Sequence, residues 1–404
     1  MISEFHRLVG SGDHPAPPKT GAGFPRVVHV ITALGRGGAE QMLVRLLEHC
    51  EKQDRFHVVS LAGDGVYGAT LRSQGISVTT LNLQGSVDGL RRLPGLVGLL
   101  RALKPDIVQC FMYHANLYGG IAARLAGVPA VIWGIRQTSL DRRYNKSSTI
   151  AIARAGAWLS SFVPDRVVSC SEESSKAHIA FGYSARRMAV IPNGFDLYAY
   201  RPLPSVRQEV RSELGLDPET PLIGMVARFD RVKDHRGLLA AFREVLRERR
   251  DCRLLLCGQG IDQANSILRE SISDLALEDR VVLLGPRSDI TRIMNGIDIH
   301  VLASSSEGFP NVLGEAMACG TPCVATDVGD SRDIVGDTGW IVPQGNPSAL
   351  ALAIIEAIGE TASQRGARGD RCRKRIEERY EIRAVCRRYE DLWHELATVS
   401  ASAH

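Results

Sequence analysis

The chain of 404 residues has no Cys-x-x-Cys pair, no long apolar run and only a small excess of positive charge. Its nine cysteines are dispersed, and the nearest pair, Cys319 and Cys323, has no histidine-rich segment beside it. This pattern excludes a zinc ribbon and a disulfide framework, and it indicates a reducing compartment. Residues 1–25 contain glycine and proline but lack the apolar core of a signal peptide, so we expect a disordered leader on a cytoplasmic protein.

Charge and hydropathy limit the partners. A formal net charge of +4 is too small to indicate nucleic-acid binding, although it is compatible with anionic substrates or a membrane surface. The longest apolar stretch, residues 150–163, is interrupted by Arg154, so no membrane-spanning segment is expected. With 44% hydrophobic residues, the chain can bury large cores, and its length favours two domains.

Short apolar runs alternate with helical segments along most of the chain, a pattern typical of parallel βαβ units. One series begins at Val27, a proline-containing stretch interrupts it at residues 191–214, and a second series begins at Leu222. We therefore predict an α/β protein with two Rossmann-like doubly wound parallel-sheet domains that face each other across a cleft. The predicted limits are 1–25 for the leader, 26–195 for the N-terminal domain, 196–220 for the linker and 221–384 for the C-terminal domain, with a helix at 385–400 as a candidate to cross back to the first domain.

Two glutamates eight residues apart, Glu307 and Glu315, lie between an apolar run and a helical pattern. Glu307 is expected in the turn before a helix that starts near Asn311, where free backbone amides favour anions. Glu315 is expected about two turns further along that helix. Settings so different suggest that one carboxylate faces a reacting centre and the other holds polar hydroxyls. The spacing alone leaves an alternative open, in which both glutamates are solvated acids near a helix end.

Basic side chains follow the first strand of the second series. Arg228 and Lys233 lie in the loop between that strand and the next helix, where cations and helix amides both favour a diphosphate. An isolated basic pair is more often a solvated loop, but its place at the carboxyl end of a first strand favours a ligand.

The first series carries weaker candidates. The turn Gly35-Arg36-Gly37-Gly38 lacks the third glycine of a dinucleotide fingerprint, and no acidic residue closes the next strand. It is either a structural turn or a glycine loop that lets amides approach an anion or a sugar. His114 is predicted in a βα loop opposite the basic pair, as a candidate to contact the transferred group, although a lone histidine is more often structural.

A basic cluster could meet anionic lipid or a diphosphate acceptor. Arg136, after the run 130–133, is also a weak candidate on the acceptor side. An ordinary solvated helix face is an equally good interpretation of the cluster. Its members are Arg136, Arg142, Arg143, Lys146 and Arg154.

Seven short motifs, in this order and spacing, make the chain resemble a retaining glycosyltransferase of family 4, which has the two-domain GT-B fold. The resemblance covers nearly everything from Val27 to the C-terminal helix. The motifs are Gly35-Arg36-Gly37-Gly38-Ala39-Glu40, residues 169–174, residues 191–196, Val226-Ala227-Arg228 with Lys233, residues 256–260, residues 285–290 and the Glu-x7-Glu segment from Glu307 to Glu315.

The resemblance implies roles for particular residues. Arg228 and Lys233 would bind the donor diphosphate, Glu315 would hydrogen-bond the ribose hydroxyls, and Glu307 would contact the donor sugar. His114 would contact that sugar from the acceptor face. The catalytic residues would therefore be Glu307, His114, Arg228 and Lys233, and Glu315 would bind the nucleotide. Other donor- and nucleotide-site residues implied are Gly37, Gly38, Arg287, Ser288, Gly308, Phe309, Pro310 and Asn311.

The implied reaction is transfer of a sugar, with retention, from a UDP- or GDP-hexose to a glycan or polyprenyl-diphosphate-linked acceptor in surface polysaccharide synthesis. No metal and no cofactor are expected, and peripheral attachment to the cytoplasmic face of the inner membrane is a further expectation. The alternatives are another GT-B enzyme such as an epimerase, an NAD-dependent oxidoreductase, and a binding protein without catalysis. One departure stands out: Asp330 follows Gly329, and Asp333 takes the acidic place, where the family often has Gly-Gly-x-x-Glu.

Overall fold

The computed structural model describes residues 23–83, 91–138, 140 and 146–402. The predicted leader therefore lies outside the described residues except for 23–25, and Arg142 and Arg143 of the basic cluster lie outside them as well. The described residues form two parallel sheets, one of seven strands and one of six. The predicted fold class of two Rossmann-like domains is confirmed.

The strands are numbered in chain order. The first sheet contains β1 (Val27–Ile31), β2 (Phe56–Ser60), β3 (Ser77–Thr80), β4 (Ile107–Phe111), β5 (Ala130–Ile135), β6 (Arg166–Ser169) and β7 (Met188–Val190). The second contains β8 (Leu222–Val226), β9 (Arg253–Cys257), β10 (Val281–Leu283), β11 (Ile299–Leu302), β12 (Cys323–Thr326) and β13 (Trp340–Val342).

Helices cover both sheets and connect their strands. The helices that precede the second sheet in the chain are α1 (Gly38–His49), α2 (Gly68–Ser73), α3 (Leu93–Leu103), α4 (Tyr113–Ala126), α5 (Ser147–Leu159), α6 (Glu172–Phe181) and α7 (Pro204–Glu213). The remainder are α8 (His235–Glu248), α9 (Ser266–Ser273), α10 (Ile290–Gly296), α11 (Asn311–Ala318), α12 (Ser331–Val335), α13 (Pro347–Gly359), α14 (Ala362–Tyr380) and α15 (Ile382–Ser402).

Each sheet reverses its winding direction once. The orders are β3-β2-β1-β4-β5-β6-β7 and β10-β9-β8-β11-β12-β13, so the reversals fall between β1 and β4 and between β8 and β11. All these pairs are parallel, which places the carboxyl ends of both strands at each reversal on one edge. Ligands of open α/β sheets bind at such points. The segments after β1, β4, β8 and β11 carry most of the sequence-predicted site residues, whereas Arg136 follows β5 and Arg287 and Ser288 follow β10.

The end of the chain completes the core of the first domain. Helix α15 packs against the first sheet, and the fully buried Trp393 contacts Phe56 with ring centroids 5.5 Å apart. The indole of Trp393 donates a hydrogen bond of 2.6 Å to the side-chain oxygen of Gln109 in β4. A buried indole needs such a partner, so this bond fixes where the helix sits on the sheet.

A helix lies within the range predicted as linker. Helix α7 packs against α10 of the second domain. Its buried Arg211 donates to a carboxylate oxygen of Asp298 at 2.7 Å and to the carbonyl of Pro218 at 3.0 Å. Because a buried charge needs a partner, this ion pair holds the helix to the second sheet.

The chain passes between the domains twice, and the two passages are joined. Phe195 donates its backbone N–H to the carbonyl of Tyr380 at 2.8 Å and accepts one from Ile382 at 3.0 Å. The ring of Phe195 lies against Gly314 in α11, where a Cβ would overlap it. The same ring stacks on Phe309 at 6.2 Å between centroids.

Adding a methyl group at Gly314 is expected to destabilise the protein. Gly314→Ala forces the fully buried Phe195 ring out of its place, at a cost of about 1–3 kcal/mol, because overpacking in a dense core is not absorbed. Chemical denaturation of the wild type and variant measures the change. Gly98→Ala is the matched control: Gly98 is exposed in α3 with open space at its Cβ, so the same change there should stabilise by up to about 1 kcal/mol. Equal stability of Gly314→Ala and wild type would contradict this packing.

Candidate active site

A cleft of about 1170 Å³ lies between the two sheets at their points of reversal. Residues from both domains line it, and they include every sequence-predicted site residue except His114. The predicted residues in the lining are Gly37, Gly38, Arg136, Arg228, Lys233, Arg287, Ser288, Glu307, Gly308, Phe309, Pro310, Asn311 and Glu315.

Lys233 and Glu307 form an ion pair in this cleft. The Lys233 ammonium lies 2.5 Å from Oε1 of Glu307, and the hydroxyl of Ser304 donates to the same oxygen at 2.6 Å. Both charged side chains are largely buried, with 17% and 13% of their surfaces exposed. Glu307 lies in the turn between β11 and α11, as predicted. Its carboxylate is therefore charge-compensated and held in one orientation.

Arg228 is the more accessible cation of the predicted pair. Its guanidinium contacts Asp230 at 3.0 Å, yet 56% of the side chain remains exposed on the cleft side of the loop after β8. Lys233 ends the short 3₁₀ turn Arg231–Lys233, which Asp230 caps through the Val232 amide. Asp230 thus orders the loop that carries both cations.

Two helix N-termini meet across the cleft. Helix α1 begins at Gly38 and helix α11 at Asn311, and neither has a side-chain cap. A Cβ on Gly38 would lie 3.4 Å from the side-chain amide of Asn311, so the two ends are neighbours. Uncapped N-termini present free amides and a partial positive charge. Both termini line the cleft and are candidates to bind an anion. The carboxylate of Glu40, in the first turn of α1, also lies there and accepts a hydrogen bond from its own backbone amide, so the start of α11 is the more open of the two.

The two domains touch at Gly308. A Cβ there would lie 2.9 Å from the Cα of Gln137 and 3.0 Å from the carbonyl oxygen of Arg136, so only glycine allows this approach. On its other side, Gly329 has a φ of +52° and packs against the backbone of Gly308. The cleft is therefore closed at this point by backbone from both domains.

Glu315 pairs with an arginine that sequence analysis missed. Arg45 in α1 donates to Oε1 of Glu315 at 2.9 Å, and only 7% and 9% of the two side chains are exposed. Burial opposes the charge of Arg45, but Glu315, Tyr200 and Asp196 together outweigh it, and the pKa of Arg45 is raised. A sequence signal did exist: Arg45 lies on the apolar face of α1, and a charge in such a stripe needs a buried partner.

Arg136 lines the cleft within a network that spans it. It donates to Asn193 at 2.9 Å and to the hydroxyl of Tyr389, while Asn193 donates to the side chain of Asn311 at 2.8 Å. The network joins β5 to the start of α11. Its acceptor-side role stays a prediction.

The predicted loop position of His114 is wrong. Helix α4 begins at Tyr113, so His114 lies in its first turn, because Met112, with a φ of +75°, ends the strand sharply and the buried Tyr113 already packs in the helix. Met112 lines the cleft, whereas His114 is outside the lining. Partial burial lowers the pKa of His114. Its contact with the transferred sugar stays a prediction.

Among the described residues, no group of three or more His, Cys, Asp or Glu side chains could hold a metal ion. None of the helices in the described part of the chain has both the length and the apolar character to cross a membrane.

Two family models match the chain. The model for Glycosyltransferase Family 4 matches residues 36–198, and the model for glycosyl transferases group 1 matches residues 220–360. These ranges correspond to the two sheets and contain both sides of the cleft. The chain belongs to the family 4 glycosyltransferases, with the GT-B fold.

Relatives and solved structures agree with this assignment. The glycosyltransferase is 27% identical to EpsF of Bacillus subtilis (strain 168), assigned as a glycosyltransferase, over 75% of this chain and 79% of that protein. It is 26% identical to the UDP-Gal:alpha-D-GlcNAc-diphosphoundecaprenol alpha-1,3-galactosyltransferase of Escherichia coli, over 68% and 72% of the two chains. The fold is similar to that of Anabaena Alr3699/HepE in complex with UDP, with a TM-score of 0.81, 24% identity, and coverage of 91% of this chain and 99% of that one.

The unusual Asp330 of this glycosyltransferase faces the first domain instead of the cleft. It is buried beside the start of helix α6, where Ser171 and the amide of Glu173 hydrogen-bond to it. Asp333 accepts a hydrogen bond of 2.8 Å from the hydroxyl of Tyr380. Neither residue is part of the cleft lining. The departure from Gly-Gly-x-x-Glu therefore adds a contact between domains.

Asp330→Asn should change the pH dependence of stability. Burial raises the pKa of Asp330 to about 6, and the carboxylates of Asp333 and Glu173 act in the same direction. The protonated carboxyl of Asp330 stabilises the folded protein. This contribution is fully present below the pKa of about 3.9 in the unfolded chain and is lost as pH rises through about 6, the pKa in the folded protein. The variant, which cannot ionise, should gain stability relative to wild type between about pH 4.5 and about pH 7.5, as measured by urea unfolding across that range. A difference that stays constant with pH would contradict the buried setting.

Proposed function

We propose that this glycosyltransferase is a retaining, metal-independent hexosyltransferase that uses a UDP- or GDP-hexose and a glycan or polyprenyl-diphosphate-linked acceptor. The observation that carries the proposal is the meeting of two uncapped helix N-termini, at Gly38 and Asn311, in the cleft that Arg228 and Lys233 line. The accessible guanidinium of Arg228 and two helix N-termini suit a diphosphate better than a neutral ligand, and Lys233, paired with Glu307, lines the same cleft.

Departure of the nucleotide leaves negative charge on its terminal phosphate. Arg228 and Lys233 neutralise that charge, and the amides at the start of α11 donate to it. Groups fixed in a cleft before the reaction need little reorganisation, which is the main source of such stabilisation. These cations take the part that a metal ion plays in other transferases.

The two glutamates divide the work on the donor. Glu315 accepts hydrogen bonds from ribose hydroxyls, and Glu307 orients the sugar. The contacts of Glu307 with Lys233 and Ser304 fall on one oxygen and offset its charge, so the carboxylate is a weak nucleophile. It therefore positions the sugar instead of forming a covalent bond to it. Arg287 and Ser288 border the base.

The acceptor proposal rests on relatives. The E. coli relative is named as acting on a diphosphoundecaprenol-linked sugar with UDP-Gal. A similar acceptor here would be a glycan on a polyprenyl diphosphate, in surface polysaccharide synthesis, and UDP-sugars are the first donors to test.

When purified enzyme is incubated with UDP-, GDP- and ADP-hexoses, we expect nucleotide release from the sugars of only one base. The release occurs by transfer to an acceptor or by slow hydrolysis. It should continue in the presence of EDTA, because no metal ion is required. Lys233→Ala and Glu307→Ala should each lower this rate about 100-fold or more, because each removes a charged group fixed at the reacting bond. Lys176→Ala, which breaks a surface ion pair with Glu173, is the control and should be unaffected.

Normal rates in both site variants would overturn the site assignment. Interconversion of nucleotide sugars without nucleotide release would identify an epimerase instead. NMR of the glycoside formed tests retention, since an inverted anomeric configuration would contradict it.

Helix α5 and the turn after it present exposed aromatic and basic side chains. Trp158 and Phe162 are 74% and 71% exposed, with ring centroids 6.4 Å apart, and Arg154 is exposed one turn before Trp158. Lys146 is exposed at the start of the helix, and the sequence from 146 to 163 contains no acidic residue. Exposed aromatic rings beside basic groups suit an anionic lipid surface. We propose that this face attaches the enzyme to the cytoplasmic side of the inner membrane.

The double variant Trp158→Ser/Phe162→Ser should bind anionic vesicles several-fold less than wild type, because it removes the apolar contacts that enter the interface. Co-sedimentation with phosphatidylglycerol vesicles at low salt measures this. Tyr198→Ser removes another aromatic side chain, 80% exposed and away from α5, and should bind like wild type. Wild-type protein that stays wholly in the supernatant at low salt would contradict the proposal.

A further inference from the structure

Arg45 joins three parts of the molecule at one guanidinium. It belongs to α1 of the first domain, it donates to Glu315 of the second domain at 2.9 Å, and it donates to the carbonyl of Gly194 in the first crossing at 2.9 Å. Its guanidinium carbon lies 5.5 Å from the ring centroids of both Phe195 and Tyr200. The group is 6% exposed and has little freedom to move.

The contact with Glu315 reaches the edge of the cleft. Glu315 and Tyr200 both line it, and the Tyr200 hydroxyl also interacts with Glu315. Arg45 occupies Oε1 of Glu315. A carboxylate has two oxygens with about four acceptor positions, so capacity for hydroxyl groups remains.

We propose that Arg45 is a positioning residue that holds Glu315 in the orientation that accepts the ribose hydroxyls of the donor nucleotide. The proposal rests on the proposed role of Glu315 and adds a first-domain residue to the recognition of the ribose. Arg45 contacts the carboxylate and the crossing at once, so the nucleotide is recognised with its normal affinity only when the first domain is docked.

The physical reason is the cost of a buried charge. Glu315 is 7% exposed, and without Arg45 its carboxylate would lose its charged partner inside the protein. It would then turn toward water or take up a proton, and in either case it would no longer accept hydroxyl groups in a fixed direction. Loss of one charge-assisted hydrogen bond to a ligand weakens binding about tenfold or more.

The test compares binding of UDP with that of 2′-deoxy-UDP and 3′-deoxy-UDP, by calorimetry, with the GDP series if the enzyme prefers GDP. Wild type should bind the ribonucleotide about tenfold more tightly than at least one deoxy analogue. Glu315→Gln should lose most of this preference, and Arg45→Met should lose it to the same extent. The double variant should be no worse than Glu315→Gln alone, since Arg45 acts through Glu315.

The matched control is Arg211→Met. Arg211 is another buried arginine in an ion pair, at 1% exposure, but it lies outside the cleft lining. Its loss should lower stability and leave the ribose preference unchanged. Arg45→Lys, which keeps the charge, should recover part of the preference and serves if Arg45→Met does not fold.

The outcomes separate the two proposals. A folded Arg45→Met or Arg45→Lys enzyme with the full wild-type preference overturns the role of Arg45 while that of Glu315 stands. Additive losses in the double variant also overturn it, because Arg45 would then act independently of Glu315. If wild type shows no preference for the ribonucleotide, the proposed role of Glu315 fails and the inference fails with it.

Discussion

The relative placement of the two domains depends on the pairing between the chain crossings. Phe195 on the first passage exchanges two backbone hydrogen bonds with Tyr380 and Ile382 on the second, and its ring fills the space that Gly314 leaves on α11. Phe195 is fully buried, and its neighbour Gly194 accepts from Arg45. Helix α11 therefore cannot shift against the first domain without breaking this junction. Because α11 carries Glu315 and follows Glu307, the junction also fixes the donor side of the cleft.

Two of the three acidic residues that line the cleft, Glu307 and Glu315, are paired with cations before any ligand arrives. Glu307 has Lys233, and Glu315 has Arg45, at distances of 2.5 and 2.9 Å. Each pair is largely buried, so its charges are little screened by solvent. Of the two cations Arg228 and Lys233, Arg228 is the accessible one, since more than half of its side chain is exposed. A diphosphate that enters therefore meets the accessible Arg228 and two helix N-termini, while the carboxylates of Glu307 and Glu315 are already paired. The third lining acid, Glu40, lies in the first turn of α1, where burial raises its pKa.

Sequence patterns predicted the parts of this protein that are set by burial. Strands such as β8 and β9 are covered on both faces and appear as continuous apolar runs, and Glu307 and Glu315 were predicted in their turn and helix. The edge strand β13 has only three residues, two of them half-buried. This is too short for an alternation of apolar and polar side chains to be visible in the sequence. Strand β7, equally short, was missed for the same reason. The Arg45–Glu315 pair joins positions 270 residues apart, and only the packed domains bring them together.

The C-terminal helix has a consequence for how this chain is made. Trp393, with Tyr389 and Leu396, belongs to the same buried cluster as Val27 and Phe56, so the first sheet lacks part of its core until α15 has left the ribosome. The second sheet draws its strands from one continuous stretch between Leu222 and Val342. Synthesis proceeds from the N-terminus, and the core of the second domain extends through α13 and α14 to Tyr380, directly before α15. The N-terminal sheet therefore keeps part of an apolar face uncovered until the second domain has been made and α15 packs on it.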